Sequence, residues 1–579
     1  MTAPPQRSPR HFRARGAHAC VALCFAGAYG CGQKPAVQYE YTRDQLLDPE
    51  SCRGCHEDYY TEWSASMHAY ASRDPVFLAM NRRGNEETAG ALGDFCVKCH
   101  APMAVLDQQT TDGLNLDTLP NSMQGVTCYF CHSVARVAGT HNDPLVHDTA
   151  NPTAMRAGIT NPIANPHHAE YSALLSGSQP ESSTLCGSCH DIELTSPPGP
   201  MPTSGSPVEL ERTFAEWQAT VFAPGHNSNN PNGISCIGCH MPAPARGAVG
   251  SIFPGGPQTR NLHDHLFPGV DVALNAVAPT ALDGVPDAAS SSNADVSSSA
   301  DAGTDASSAD AGIGADAGSS AGTNETAVQS FLETTVRVAR LCVEYQTDPS
   351  DRQRIRVLVD LDNVGAGHYW PSGAAQDRRA WADLRVLVDD QVVYTSGEPA
   401  PGTDVLASPD ADLWLLRDHA TKTDGTEAHM FWDVAQIVPG TIPGPVTFVV
   451  GAPGYDTTHA VRSFPLAITS WIPAPFDQTR LRVELRLRLQ AIGYDVLDDL
   501  VASGHLDPAV RSAVTDRTLL LNRNLAQPAL VAQTPDLARF ANVSFEWSSF
   551  TLGSPYFAAP STRPMGTTEY LCAGMNRAP

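Results

Sequence analysis

The chain has 579 residues, with 62 Asp and Glu against 37 Lys and Arg, so its formal charge at pH 7 is −25. That acidic surplus argues against nucleic acid, whose binders present basic faces, and suits partners with basic docking surfaces steered by complementary fields. The length allows about two to four domains.

Residues 1–31 read as an export signal. Arg7, Arg10, Arg13 and Arg15 precede an apolar run from Ala17 to Ala28. That run is too short, and too broken by His18, to span a bilayer. Ala28-Tyr29-Gly30-Cys31 has the shape of a bacterial lipoprotein cleavage box, although Ala28 stands where Leu is usual. Cys31 is then a candidate lipid anchor, and ordinary cleavage near Gly30 with an incidental Cys31 is the alternative. Both readings predict a periplasmic protein or an outer-membrane or cell-surface lipoprotein of a bacterium. No other apolar run is long enough for a transmembrane span.

Five Cys-x-x-Cys-His motifs follow: Cys52–Cys55–His56, Cys96–Cys99–His100, Cys128–Cys131–His132, Cys186–Cys189–His190 and Cys236–Cys239–His240. Structural zinc pairs two Cys-x-x-Cys units, or one with a downstream His pair, and imposes no His after every second Cys. At this composition chance would give roughly 0.01 such motifs. The spacing is the attachment signature of haem c, with two thioethers to the vinyl groups and the adjacent His on the iron. We therefore expect five covalently attached haems, held by Cys52, Cys55, Cys96, Cys99, Cys128, Cys131, Cys186, Cys189, Cys236 and Cys239, with His56, His100, His132, His190 and His240 as first axial ligands. The region 39–282 has few long apolar stretches, so the porphyrins would supply its core and couple folding to attachment. This predicts a mainly α and irregular multihaem domain.

Second axial ligands are less plainly marked. Glu57 to His68 reads as one continuous helix, which would separate His56 and His68 by about 18 Å and send His68 to a neighbouring haem. A surface His on an amphipathic helix is the alternative. The first motif with its downstream Tyr, Trp63, Ser66 and His68 resembles the opening of multihaem cytochromes related to the tetrahaem partner of hydroxylamine oxidoreductase. Leu185 to Pro242, with Glu216-Trp217 and the closing Cys-His-Met-Pro, is similar to these too, as is His263-Asp-His265-Leu-Phe267-Pro-Gly269. The resemblance implies that His68 and His265 are distal ligands, and it favours His168, since a His ahead of the fourth motif recurs there. His141, His147, His167 and His226 are weaker candidates, as are Met103 and Met241. Met241 directly follows a proximal His and is poorly placed to bind that His's iron.

Residues 286–324, nearly all Ala, Ser, Asp and Gly, read as a disordered linker without calcium-loop spacing. From Thr326 a β-rich domain (326–579) is expected. Ile355, Val357, Val359 and Leu361 alternate with polar residues, as do Leu384, Val386 and Val388, and Leu481 to Leu489 alternates with Arg and Glu. This period of two predicts half-buried antiparallel strands in a sandwich-like domain, followed by a short helix from about Asp495 to Ala502, stopped by Gly504. Cys342 and Cys572 either pair as a disulfide or remain free thiols. In Asn363-Val-Gly365-Ala-Gly367-His368-Tyr-Trp-Pro371-Ser-Gly373 a strand enters a Gly-rich turn that projects His368. Similar turns in multihaem cytochromes imply a further ligand there, against a turn His without a role.

These features point first to electron transfer through closely packed haems that mostly carry two His ligands. The alternative is a haem enzyme that reduces or oxidises small nitrogen or sulfur compounds at one open iron. The five-haem count invites comparison with pentahaem nitrite reductase, but that family's Cys-x-x-Cys-Lys does not occur here. A β-domain serving in adhesion or partner docking is compatible with either.

Overall fold

The longest strands lie in the C-terminal part of the chain, where β-branched and leucine residues alternate with charges. In the computed structural model the described residues are 40–162, 166–194, 207–227, 230–243, 262–274, 320–346, 354–389, 391–407, 409–449, 452–466, 481–519 and 548–551. The export signal, Cys31, most of the 286–324 linker and Cys572 lie outside them.

Two larger antiparallel sheets build the β-rich part, beside a two-stranded pairing of His419–Thr421 with Gln436–Val438. In one, His459–Leu466 and Val336–Gln346 flank Arg354–Asn363. In the other, Leu481–Gln490 is central, pairing with Arg379–Val388 on one side and with Arg517–Leu519 and Ser548–Thr551 on the other. Val357, Val359, Leu361 and Phe464 from the first sheet share a single apolar core with Ala380, Leu384, Val386, Val483, Leu485 and Leu487 from the second. The arginines between those leucines serve the opposite face. Arg486 lies opposite Asp383 in the register and meets it at 2.7 Å, and Arg488 reaches the same carboxylate at 3.4 Å.

The motif-bearing part is made of helices, turns and short strand pairs, as its sparse apolar residues require. Its own core is small, built on Leu46, Leu47, Phe77, Val97, Met103, Leu116 and Phe130. Among its helices, Pro75–Glu87 is capped by Asp74, whose carboxylate accepts from the Val76 N–H at 2.9 Å. The two parts interlock from Glu40 onward. Val76 and Ala79 pack with Trp432, Leu497 and Leu500 in one cluster, and Arg83 pairs with Asp499 at 3.0 Å.

Two expectations change, and a third, the C-terminal helix, holds. The helix read from Glu57 to His68 ends at Ser64, and a second begins at Met67. Ser66, extended at φ −85° and ψ 160°, donates its hydroxyl to the Trp63 carbonyl at 2.7 Å and accepts from the Ala69 N–H at 3.4 Å. A serine of this kind competes with the helix ladder and starts a new helix as its cap, so the 18 Å separation along one helix does not apply. The linker does not extend to Asn324, because a helix spans Ser320–Leu332. Val328 and Leu332 enter the β-core, while Asn324 donates its side-chain amide to the Ala65 carbonyl at 2.6 Å, tying the helix to the motif-bearing part. The C-terminal helix runs from Tyr494 to Ala502, with Gly504 left-handed at φ 79° two residues after it.

Arg337 and Asp362 lie opposite each other and are both 3% exposed, joined at 2.6 Å, with the Thr458 hydroxyl also donating to Asp362 at 2.7 Å. Removing one charge strands the other in the core. Asp362→Ala is expected to cost about 3–5 kcal/mol, and replacing both residues with apolar ones of similar volume far less. Chemical denaturation of the single and double variants checks this.

Candidate functional site

Each motif folds as about one helical turn, which sets its two thiols on one side. Val97–His100, Cys128–His132 and Cys236–His240 are short helices, and the His N–H bonds back to the first Cys carbonyl at 2.8 Å for His56 and 3.0 Å for His190. All ten cysteines and all five histidines line one cavity of about 1670 Å³. Pockets for single ligands run to about 300–1,000 Å³. The motifs also lie next to one another. The thiols of Cys52 and Cys128, of Cys99 and Cys189, and of Cys186 and Cys236 lie near enough to shift each other's ionisation. The fourth motif therefore neighbours the second and the fifth.

Four motif histidines face a second imidazole across the cavity. Ring centres are 6.3 Å apart for His56 and His167, 6.5 Å for His132 and His265, 6.2 Å for His190 and His68, and 6.3 Å for His240 and His368. A nitrogen binds a first-row metal at about 2.0–2.1 Å, and the ring centre lies roughly 1.2 Å behind it, so two imidazoles on opposite sides of one metal stand about 6.4 Å apart. The spacing fits an iron between each pair. His100 differs: Phe77 stacks face to face on its ring at 4.1 Å and 2°, and among the described residues no imidazole is paired with it.

Hydrogen bonds fix which nitrogen points inward. Nδ1 donates to backbone carbonyls of Ala71 for His100 (3.1 Å), Arg156 for His132, Pro268 for His240 (2.8 Å), His263 for His265 (2.9 Å) and Tyr369 for His368 (2.8 Å). A carbonyl only accepts, so in each ring Nε2 keeps its lone pair for a metal. Burial keeps these rings neutral. It pushes His68 and His265 down to about 3, and His167 and His368 down to about 4, with neighbouring histidines adding to the shift. His190 departs from this pattern. Burial opposes its charge, yet Glu211 Oε1, 3.2 Å from Nδ1, carries it up to about 9.

Several contacts hold the distal rings. The His68 carbonyl accepts from Val126 N–H at 2.8 Å beside Gly125, where a Cβ would lie 2.7 Å from that same oxygen. His265 is set by Glu62, which accepts its backbone N–H at 3.0 Å, and by Phe267, whose φ of 49° is costly for a bulky residue. Phe267 wedges between the rings of His68 (4.4 Å) and His265 (5.7 Å). His368 comes from the β-rich part. Asn363 donates to its carbonyl at 2.8 Å, while Glu216 accepts from Tyr369 N–H at 3.2 Å and Ser372 hydroxyl at 2.6 Å. Burial raises Glu216 to about 7, partly offset by Ser372 and Arg212.

The remaining candidates sit elsewhere. His167, not His168, lines the cavity, and its Nδ1 is a buried nitrogen without a hydrogen-bond partner. His168 takes φ 48° next to it and does not line the cavity. His141 meets Glu193 at 3.3 Å, His147 bonds Ser133 at 2.8 Å, and neither they nor His226 line the cavity. Met103 is buried in the small apolar core, while Met241 and His263 reach the cavity wall. Sequence reading passed over Glu211, Glu62 and His263 as site residues. Glu211 carries no local signal, because it meets His190 only through the strand pairing of Ile192–Leu194 with Val208–Glu211.

Residues 51–133 match the family model described as cytochrome c554 and c-prime, a segment holding three of the five motifs. It supports a multihaem c-type cytochrome. No curated protein matches the chain. Among solved structures, a penta-heme cytochrome c552 from Thermochromatium tepidum is similar over 82% of this chain and 97% of its own, at 16% identity and a TM-score of 0.47, too low to equate the folds. The family match supports haem c as cofactor, redox proteins as partners and electron transfer as the general role. Among the described residues no helix is long and apolar enough to cross a membrane.

His167→Ala is expected to convert one iron of the purified holoprotein from low to high spin, while His168→Ala leaves the visible and EPR spectra unchanged. The reverse result would restore His168 as the ligand.

Proposed function

We propose that the chain is an exported pentahaem c-type cytochrome that transfers electrons, with four irons held between His56 and His167, His132 and His265, His190 and His68, and His240 and His368. The observation that carries this reading is the set of four imidazole pairs spaced 6.2–6.5 Å apart around one cavity. Haem c, when bound, supplies the one-electron chemistry. The chain fixes the imidazoles of His132, His190, His240, His265 and His368 by Nδ1 hydrogen bonds and brings the five attachment sites into one chamber. The β-rich part, read as a sandwich, completes the His240 site through His368. The −25 charge supports redox partners with basic docking surfaces. The N-terminal segment supports a periplasmic or cell-surface location, with Cys31 as the candidate anchor.

One observation favours a second reading, an enzyme or ligand-binding role on small nitrogen or sulfur compounds. His100 has Phe77 where the other motif histidines have a facing imidazole. The two readings separate in one experiment. Four low-spin irons and one high-spin iron that changes spectrum with cyanide, nitrite or hydroxylamine favour the second. Five low-spin irons inert to all three leave electron transfer alone.

His368→Ala is expected to add one high-spin iron. Glu216→Ala, which removes the acceptor for Tyr369 and Ser372, is expected to cost about 1–3 kcal/mol and to make the His368 iron partly high-spin. Thermal melts with EPR check both.

A further inference from the structure

His190 is joined at Nδ1 by a carboxylate, where His100, His132, His240, His265 and His368 have neutral carbonyls. The Glu211 Oε1 contact is 3.2 Å, and the Glu211 side chain is only 16% exposed. It has a second neighbour in Arg378, which interacts with it electrostatically while spending Nε on the Ser372 carbonyl at 2.6 Å and Nη1 on the Ala491 carbonyl at 3.1 Å. Glu211 ends the strand Val208–Glu211 and precedes the helix Thr213–Gln218 that grips the His368 turn, so its position is fixed from both sides.

A carboxylate that accepts an axial imidazole's N–H makes the ring more basic, and its negative charge stabilises the more positive oxidation state of the metal. We propose that Glu211 is a potential-setting residue, holding the iron between His190 and His68 at a lower reduction potential than the irons of the His132–His265 and His240–His368 pairs. The inference rests on the haem reading above. Its consequence follows from the attachment geometry. The fourth motif neighbours the second and the fifth, so the lowered iron stands inside the array rather than at an end. Glu211 then sets how readily an electron rests between the His100 site and the His240 site.

The test is a spectroelectrochemical titration of the holoprotein and its Glu211→Gln variant, after mass spectrometry has counted the attached haems. Five haems and an unchanged number of low-spin irons show that the site is intact. A smaller haem count in the wild-type protein would sink the pentahaem reading itself, separately from this inference. With the site intact, one midpoint is expected to rise in Glu211→Gln while the others hold, and one low-spin EPR signal should lose its strongly basic-imidazole character. Glu211→Asp, which keeps the charge, should return that midpoint most of the way. Midpoints that stay put, or that all move together, would overturn the assignment. If Glu211→Gln fails to mature, the same comparison made on Glu211→Asp, whose shorter side chain lengthens the contact, is expected to show a smaller rise in that one midpoint, and no change would overturn it.

Discussion

Two imidazoles facing each other across 6.3 Å, as His240 and His368 do, must be backed by rigid walls on both sides. Neither ring gains much from the other, and burying either without a partner for its inward nitrogen is unfavourable. That requirement organises the molecule. The Nδ1 bonds to backbone carbonyls lock the rings, and the carbonyls are themselves set by turns and helix ends. The small apolar core of the motif-bearing part is what remains when most of the interior is reserved for a large cofactor.

The β-rich part depends on the same requirement. Its own core is large and continuous and needs no cofactor to close. Among the segments it brings to the cavity is the turn in which Asn363 ties His368 back to the strand end and Glu216 reaches in from the opposite wall. A ligand carried on such a turn is placed as precisely as the sheet behind it. The helix Ser320–Leu332 plays the complementary part, burying its apolar residues in the sheets and bonding the motif-bearing side through Asn324.

Glu211, Glu216 and Glu62 show how buried carboxylates divide the work around the cavity. Glu62 and Glu216 accept backbone N–H groups next to proposed distal ligands and so position them. Glu211 touches an imidazole directly and so acts on the metal's electronics. The same side chain gives placement twice and tuning once.

The residues legible in sequence were those whose role follows from covalent chemistry or short-range periodicity. The five motifs announced a cofactor because thioether formation requires that spacing. The alternating strands announced sheets because a half-buried strand requires a period of two. The turn around His368 was visible because Gly365 and Gly367 permit a backbone other residues resist; a Cβ on Gly365 would lie 2.1 Å from the Thr334 carbonyl oxygen. What local pattern could not reach was pairing. The break at Ser66, the choice of His167 over its neighbour and the Phe77 ring on His100 all depend on which surfaces the chain brings together. Glu211 is the clearest case. A carboxylate placed 21 residues after His190 acquires a role only when two short strands pair and bring it to Nδ1. The sequence by itself determined which atoms can bind the cofactor; only the tertiary structure decided which of them face each other, because that is a matter of distance through space and not along the chain.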